Sequence, residues 1–392
     1  MEGSGGVVGR AVVVGAGMAG LACAGALSRS GWQVTLLERA ERVAAPPTAL
    51  VLWPNGRRAL EAVDPAGGWS SIAAPLPDGG VRRPDGQWLV TPRGRTGSGP
   101  GPAAVTLHDL YDVLIAGLGD YVQMRTGFEV TTVRTAPGSR PSVGDGRTEI
   151  EADLIVAADG IDSRVRRALA PESAAVGSGF ADWQAIVPAH RLPSAPVTGG
   201  ETLGAGYRFV SVPLGPGRGV YWVATAAGAA RPEPPATQLA LLRRWFTGWP
   251  EPVGELLAAT HPEDLVPHEV RELRPLPRAY GFTSGPGGVV LLGDAAHAMP
   301  HHLGQGACLA FEDAATLAAL TSDAAPGPAL LAAIEMYSRL RRPRTTSVVR
   351  QTRRMSAVVQ ARGRLALRAR DAALNHMRPR MMAPTPDWSP PE

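Results

Sequence analysis

Residues 10–39 read RAVVVGAGMAGLACAGALSRSGWQVTLLER. Residues 11–14 are a short apolar, β-branched run, the pattern of a parallel strand buried on both faces. Gly15, Gly17 and Gly20 follow as G-x-G-x-x-G. Residues 21–27 are rich in Ala and Leu and predict a helix that Gly31 can end. Residues 33–37 predict a second strand, closed by Glu38 and Arg39. In such a unit the first glycine permits the tight turn. The second lets a pyrophosphate approach the backbone, and the third lets helix and strand pack closely. The backbone of Gly15, Ala16, Gly17, Met18, Ala19 and Gly20 is therefore a candidate phosphate cradle, assisted by the positive end of the helix dipole. Glu38 ends the second strand, where a carboxylate can accept a hydrogen bond from a ribose 2′-OH. A lone G-x-G-x-x-G is weak evidence. Strand, glycines, helix, strand and acid in that order point to dinucleotide binding, against the alternative of a plain βαβ unit with tight turns.

A chain of 392 residues has room for two or three domains of ~150 residues each. Its 44% hydrophobic and 19% charged content is that of an ordinary globular protein. All 39 basic residues are Arg, and the net charge of +4 is too small to argue for nucleic acid. Cys23 and Cys308 provide neither a disulfide framework nor a metal cluster, so no metal site is expected. No apolar run reaches the length of a membrane span. The first ten residues lack the apolar core of a secretion signal and read as a flexible lead-in. A cytoplasmic location is the expectation.

Further along, residues 49–53 predict a strand and 57–63 a helix. Residues 81–90 alternate about Asp85-Gly86 as a hairpin does. Residues 91–103 read as a loop, 107–118 as a helix and 122–133 as strand. Residues 154–157 are another buried-type strand, running into Ala158-Asp159-Gly160. Aromatic and β-branched runs at 180–187, 207–212 and 219–224 predict a mostly antiparallel sheet with one face free to cover something. Residues 240–246 and 253–260 read as short helices. Residues 289–292 are a third buried strand, ending in Gly293-Asp294, and 306–320 begin a mainly helical remainder. Nucleotide-type βα elements thus sit at both ends of one composite fold, around a β-rich insert.

Three stretches now converge: GAGMAG with Glu38-Arg39, AADGIDSRVRRAL at 157–169, and GDAAHAMPHHLGQGACLAFEDA at 293–314. Together they resemble the group A FAD-dependent flavoprotein monooxygenases, relatives of para-hydroxybenzoate and salicylate hydroxylases. Weaker matches lie in PNGRRAL, GFADWQAIVP and ETLGAGYRF. The resemblance implies an α/β fold: a Rossmann-type FAD-binding domain, an inserted mostly antiparallel β-sheet substrate domain, and a helical C-terminus. The corresponding division is 1–75, 96–170 and 276–345 for FAD, 76–95 and 171–275 for substrate, and 346–392 for the C-terminal segment. It implies NADH or NADPH as reductant, and one oxygen atom of O2 inserted through a flavin C4a-hydroperoxide into an aromatic or polyketide-like small molecule.

Asp159, opening a DGxxSxxR pattern, and Asp294, after the third buried strand, are candidate FAD ligands. Either carboxylate can instead cap a helix or turn. Gly304, Gln305, Gly306 and Ala307 start a helix whose N–H groups can face the flavin pyrimidine. The chain departs from the family in four places. Leu107 stands where relatives often carry Arg, and His108 is the candidate to replace its cofactor contact. Trp183-Gln184-Ala185 replaces Trp-Arg-Gly, His301 replaces a proline, and Cys308 replaces an asparagine. His301, or its neighbour His302, is a candidate base for a phenol-type substrate; packing or a backbone hydrogen bond is the alternative. His190, His261 and His268 read as surface or core residues. Trp183, Gln184, Tyr207, Phe209, Tyr221, Trp222 and His301 are the candidate substrate residues, although alternation turns only part of each strand inward. The departures also admit a non-redox cyclase or isomerase with FAD as a structural element. Residues 341–380 carry twelve Arg against the single acid Asp371, read as a docked helix with a solvated face rather than an anionic-surface binder. No nucleic-acid or integral-membrane partner is expected, and the oligomeric state is open.

Overall fold

The computed structural model describes residues 8–64, 66, 68–77, 79–92, 101–192, 197, 199–228, 232–376 and 388–391. The expected lead-in at 1–7, most of the 91–103 loop and the end of the Arg-rich tail lie outside the described residues.

The first unit is a six-stranded sheet. Its strand order is Gly281–Ser284, Gly287–Leu291, Leu154–Ala157, Arg10–Val14, Gln33–Leu37 and Val122–Arg125. All pairings are parallel except that of the edge strand Gly281–Ser284. Strands buried on both faces need no polar alternation, and Leu154, Ile155, Val156 and Ala157 are all fully buried. Helix Met18–Arg29 is buried almost all round, with Leu21, Cys23 and Leu27 inaccessible to solvent. Each such Leu contributes about 1.5–3 kcal/mol of burial. Its C-cap is Ser30, and Gly31 follows at φ +83°, which a side chain would resist.

The second unit is a seven-stranded sheet in the order Val266–Arg274, Ala174–Val187, Val220–Ala227, Tyr207–Pro213, Gly200–Leu203, Gly80–Arg82 and Trp88–Val90. Only Gly200–Leu203 and Gly80–Arg82 pair parallel among these strands. One face is covered by helices Pro235–Trp245 and Val253–Ala259 through Trp183, Phe209, Trp222, Leu239, Leu242 and Leu256. The other face turns toward the first unit. A small sheet of Ala49–Leu52, Ala103–Thr106 and Ala74–Pro75 sits at the join, where Ala49 and Ala104 pack on Val212, Tyr221 and Val223.

One expectation fails locally. The strand over 122–133 is two strands, because Gly127 at φ +67° turns the chain out of the large sheet and Thr132–Arg134 joins a separate three-stranded sheet. The Arg-rich segment folds as helices Pro328–Gln360 and Arg364–His376. Several of its arginines are structural. Arg341 is 1% exposed and pairs with Glu312 and Asp313, Arg344 with Glu312, and Arg353 with Glu272. Arg370 donates to the carbonyl of Gly204.

Candidate active site

The strands Arg10–Val14, Leu154–Ala157 and Gly287–Leu291 are neighbours, in register from Val14 to Ala157 to Leu291. Their C-terminal ends therefore lie side by side, and so do the three turns that leave them. This is the edge at which open α/β sheets bind ligands. Gly15 is wedged there: a Cβ on it would stand 2.5 Å from the carbonyl oxygen of Ala158. A Cβ on Gly20 would stand 1.8 Å from the carbonyl oxygen of Gly15, and one on Gly293 would stand 3.1 Å from Cβ of Ala19. The glycines let the three motifs close on one another.

The first turn is held from behind. The Gly15 N–H donates to Leu37 O, and the N–H groups of Ala16 and Ala40 donate to Glu38. Gly17 is the N-cap of its helix and brings no side-chain cap, so the N–H groups of Met18, Ala19 and Gly20 have no intrahelical acceptor. Arg39 is exposed beside Glu38. Tyr111, which sequence reading missed, comes from helix Leu107–Ala116 to within 3.9 Å of where a Gly17 Cβ would stand. Its phenol is pushed up by burial, against the Met18 N–H. His108, on the same helix, is exposed and faces Asp112 at 3.6 Å. The contact to the turn comes from Tyr111, three residues on along the same helix.

In the second turn, Oδ2 of Asp159 accepts from the N–H groups of Arg164 and Val165, so the capping alternative holds for that oxygen. Oδ1 is buried with no partner among the described residues. Arg166 is 1% exposed and donates to Ile161 O and Ala295 O, tying the second turn to the third.

Asp294 shows solvent access and a desolvated carboxyl at once. Both hold for a group on the floor of a concavity, open above and crowded on every other side; its pKa is raised chiefly by that crowding. Behind it, Asp313 accepts from the Gly293 N–H at 3.0 Å, from His297 Nε2 at 2.6 Å and from Arg341 Nε at 2.7 Å. Asp313, Arg341 and His297 are at most 1% exposed. None was singled out in the sequence, since their acids and bases come from three separate elements.

The helix Gly306–Thr321 starts at the N-cap Gln305, again with no side-chain cap. The Gln305 side chain is tied to Asn55 at 2.9 Å, and Asn55 also reaches Glu312. A Cβ on Gly306 would meet nothing within 4 Å. A Cβ on Gly304 would stand 3.1 Å from Trp53 Nε1, a buried donor with no partner among the described residues. Cys308 packs on Gly56, and burial lifts its thiol to about 12.

The roof is the face of the seven-stranded sheet that helices Pro235–Trp245 and Val253–Ala259 leave uncovered and that turns toward the first unit. Register places His268, Asp182, Thr225 and Arg208 in one row across four strands. Gln184 and Tyr221 share that face: the Tyr221 hydroxyl donates to Gln184 Oε1 at 2.6 Å, and Gln184 Nε2 to Asp182 at 3.2 Å. Trp183, Tyr207, Phe209 and Trp222 do not reach the roof. They lie on the opposite face among the covering helices, where Trp183 donates to Gln238 and Phe209 stacks on Trp222. The pleat alternates correctly, but the helices claim the aromatic phase. His268 is exposed at the end of that row, as a surface residue should be; burial of its ring lowers its imidazole, and the Asp294 charge opposes the shift. His301 Nδ1 stands 3.4 Å from Asp182 Oδ2. His302 packs edge-on to Phe180 at 4.7 Å, and burial lowers its imidazole to about 2.

Comparison with known proteins decides the family. The model of the FAD binding domain family matches residues 10–352. This chain belongs to that family. It is 30% identical over 371 residues to the aurachin C monooxygenase/isomerase of Stigmatella aurantiaca, covering 93% of this chain and 94% of that one. It is 34% identical over 318 residues to a 2-heptyl-3-hydroxy-4(1H)-quinolone synthase of Pseudomonas aeruginosa, covering 79% and 80%. The structure of HpxO from Klebsiella pneumoniae with FAD and uric acid superposes with a TM-score of 0.82 at 26% identity, over 95% and 94% of the two chains. The protein is an FAD-dependent monooxygenase. Its donor set fits the cofactor: two uncapped helix starts, glycines open to a ligand, and the unpartnered atoms of Asp159 and Trp53. Among the described residues no helix is long and apolar enough to cross a membrane, and no group of three or more His, Cys, Asp or Glu is placed to hold a metal ion.

Proposed function

We propose that this monooxygenase oxygenates a compact aromatic or heteroaromatic ring bearing an acidic O–H or N–H, held between the flavin and the roof face of Asp182, Gln184 and Tyr221. The supporting observation is the meeting of three turns at one sheet edge beneath that polar face. The quinolone and uric acid of the relatives named above are rings of this kind.

In this reading the N–H groups of Met18, Ala19 and Gly20 bind the pyrophosphate, and Glu38 binds the adenosine ribose. Asp159 and Asp294 take hydroxyl groups along the crevice. The N–H groups of Gly306, Ala307 and Cys308, with the Gly306–Thr321 dipole, place positive potential where reduction puts negative charge on the flavin. FAD, when bound, supplies hydride acceptance from NADH or NADPH and activation of O2. The chain's own contribution is position, exclusion of water and charge placement. The test is to purify the protein and supply NADH or NADPH, O2 and a panel of 4(1H)-quinolones, urate and phenols. A yellow protein and products heavier by one oxygen atom are expected. Reductant consumed across the panel with no oxygenated product would refute the reading.

A further inference from the structure

We propose that Asp182 and His301 form a proton-accepting pair that ionises the substrate's acidic O–H or N–H. The proposal rests on the substrate class given above. Asp182 is wholly buried on the roof, whereas the His301 side chain is 32% exposed in the turn between Asp294 and Gly304. The ring is partly open, but its Nε2 is enclosed and unpartnered among the described residues. An acceptor left free in this way, with a buried carboxylate behind the other nitrogen, is what a substrate proton needs. A purely structural pair would use up its polar atoms. Here Asp182 Oδ1, His301 Nε2 and the Thr225 hydroxyl in the same row are buried without partners among the described residues.

The charged and titratable groups around Asp182 come from every element packed on it. His268 comes from Val266–Arg274, Arg208 from Tyr207–Pro213, Tyr221 from Val220–Ala227, and His301 and His302 from the turn. Arg208 is already engaged, donating twice to Glu201 and once to His302 O. It therefore weakly favours the Asp182 anion without sequestering it. Desolvation dominates and lifts Asp182 to about 7, while burial and the Arg208 charge lower His301 to about 3. Between about pH 3 and pH 7 both groups are neutral and the pair is idle. Above it the Asp182 anion accepts Nδ1–H, and His301 Nε2 presents a lone pair. The substrate X–H bond then breaks toward Nε2. Its electron pair stays on X and enriches the ring carbons conjugated with it, and the imidazolium is balanced by Asp182. The proton returns to product or water on release.

The test uses the FAD-loaded enzyme labelled with 13C at histidine Cε1, with the His301 signal assigned from His301→Gln. That signal should move with a midpoint near pH 7, and Asp182→Asn should abolish the movement. Product formation should rise through the same midpoint, and fall about 100-fold in Asp182→Asn at pH 8. FAD content should stay unchanged, and Asp182→Glu should restore part of the pH dependence. A His301 signal without that midpoint, or one that keeps it in Asp182→Asn, overturns the pair. Product whose pH profile is indifferent to Asp182→Asn overturns the pair alone. A wild type that shows the midpoint but oxygenates nothing in the panel overturns the substrate class, and with it this role for the pair.

Discussion

Gly20→Ala should cost most of the cofactor affinity while leaving a folded protein. The new Cβ would stand 1.8 Å from Gly15 O and 3.0 Å from Gly15 C. Helix and turn must therefore separate by roughly 1.2 Å before the contact becomes tolerable. The turn cannot yield. Gly15 N is bonded to Leu37 O at 2.7 Å, Ala16 N to Glu38 at 2.9 Å, and Gly15 already abuts Ala158 O. The helix must move instead, against its buried Leu21, Ala22, Cys23 and Ala24, at about 1–3 kcal/mol. Its N–H groups then miss the pyrophosphate, and one lost hydrogen bond to a charged group is worth about 1.5–3 kcal/mol. At 1.4 kcal/mol per tenfold, Kd for FAD should rise about 10- to 150-fold. The assay is titration of apoprotein with FAD, followed by quenching of flavin fluorescence, beside a thermal melt. A Kd within about threefold of wild type, with an unchanged melt, would refute the steric account.

Gly306→Ala is the converse: the added methyl meets no protein atom, so apoprotein stability should hold or improve by some tenths of a kcal/mol, yet FAD should bind more weakly. Equal FAD affinity would remove the Gly306 helix start from the flavin site. Asp313→Ala strands buried His297 and the Gly293 N–H and leaves Arg341 to share Glu312 with Arg344, so buried positive charge outweighs its counter-charge; it should cost about 3–5 kcal/mol in urea unfolding, and a loss under about 1 kcal/mol would contradict it. Burial of Asp182 works against folding. Its carboxyl rises from 3.8 to about 7, so the folded state holds the proton more tightly, and stability falls as pH climbs through that window and stays lower above it. Asp182→Asn should accordingly stabilise the protein at pH 8, by up to about 4 kcal/mol, with the gain fading toward pH 4. Cys23 and Cys308 are buried with raised pKa values, so neither should alkylate at pH 8 until the protein unfolds; fast labelling of the native state would contradict this.

Thirty contiguous residues determined the cofactor class, because each requirement of that turn is local. The crossing strand must be apolar, Gly15 must take φ +99°, and Gly20 must lack a Cβ. Asp159-Gly160 and Gly293-Asp294 were legible for the same reason, each announced by the buried strand before it. Tertiary packing alone decided the roof. Alternation says that Asp182 and Trp183 face opposite ways, but not which way is inward. Helices Pro235–Trp245 and Val253–Ala259 take the Trp183, Phe209 and Trp222 phase, leaving Asp182, Gln184 and Tyr221 on the face turned toward the first unit. Likewise, nothing in a run of twelve arginines marks Arg341 as buried. Its partners Asp313 and Glu312 lie on another helix, and a charge leaves water only where the fold brings its counter-charge to meet it.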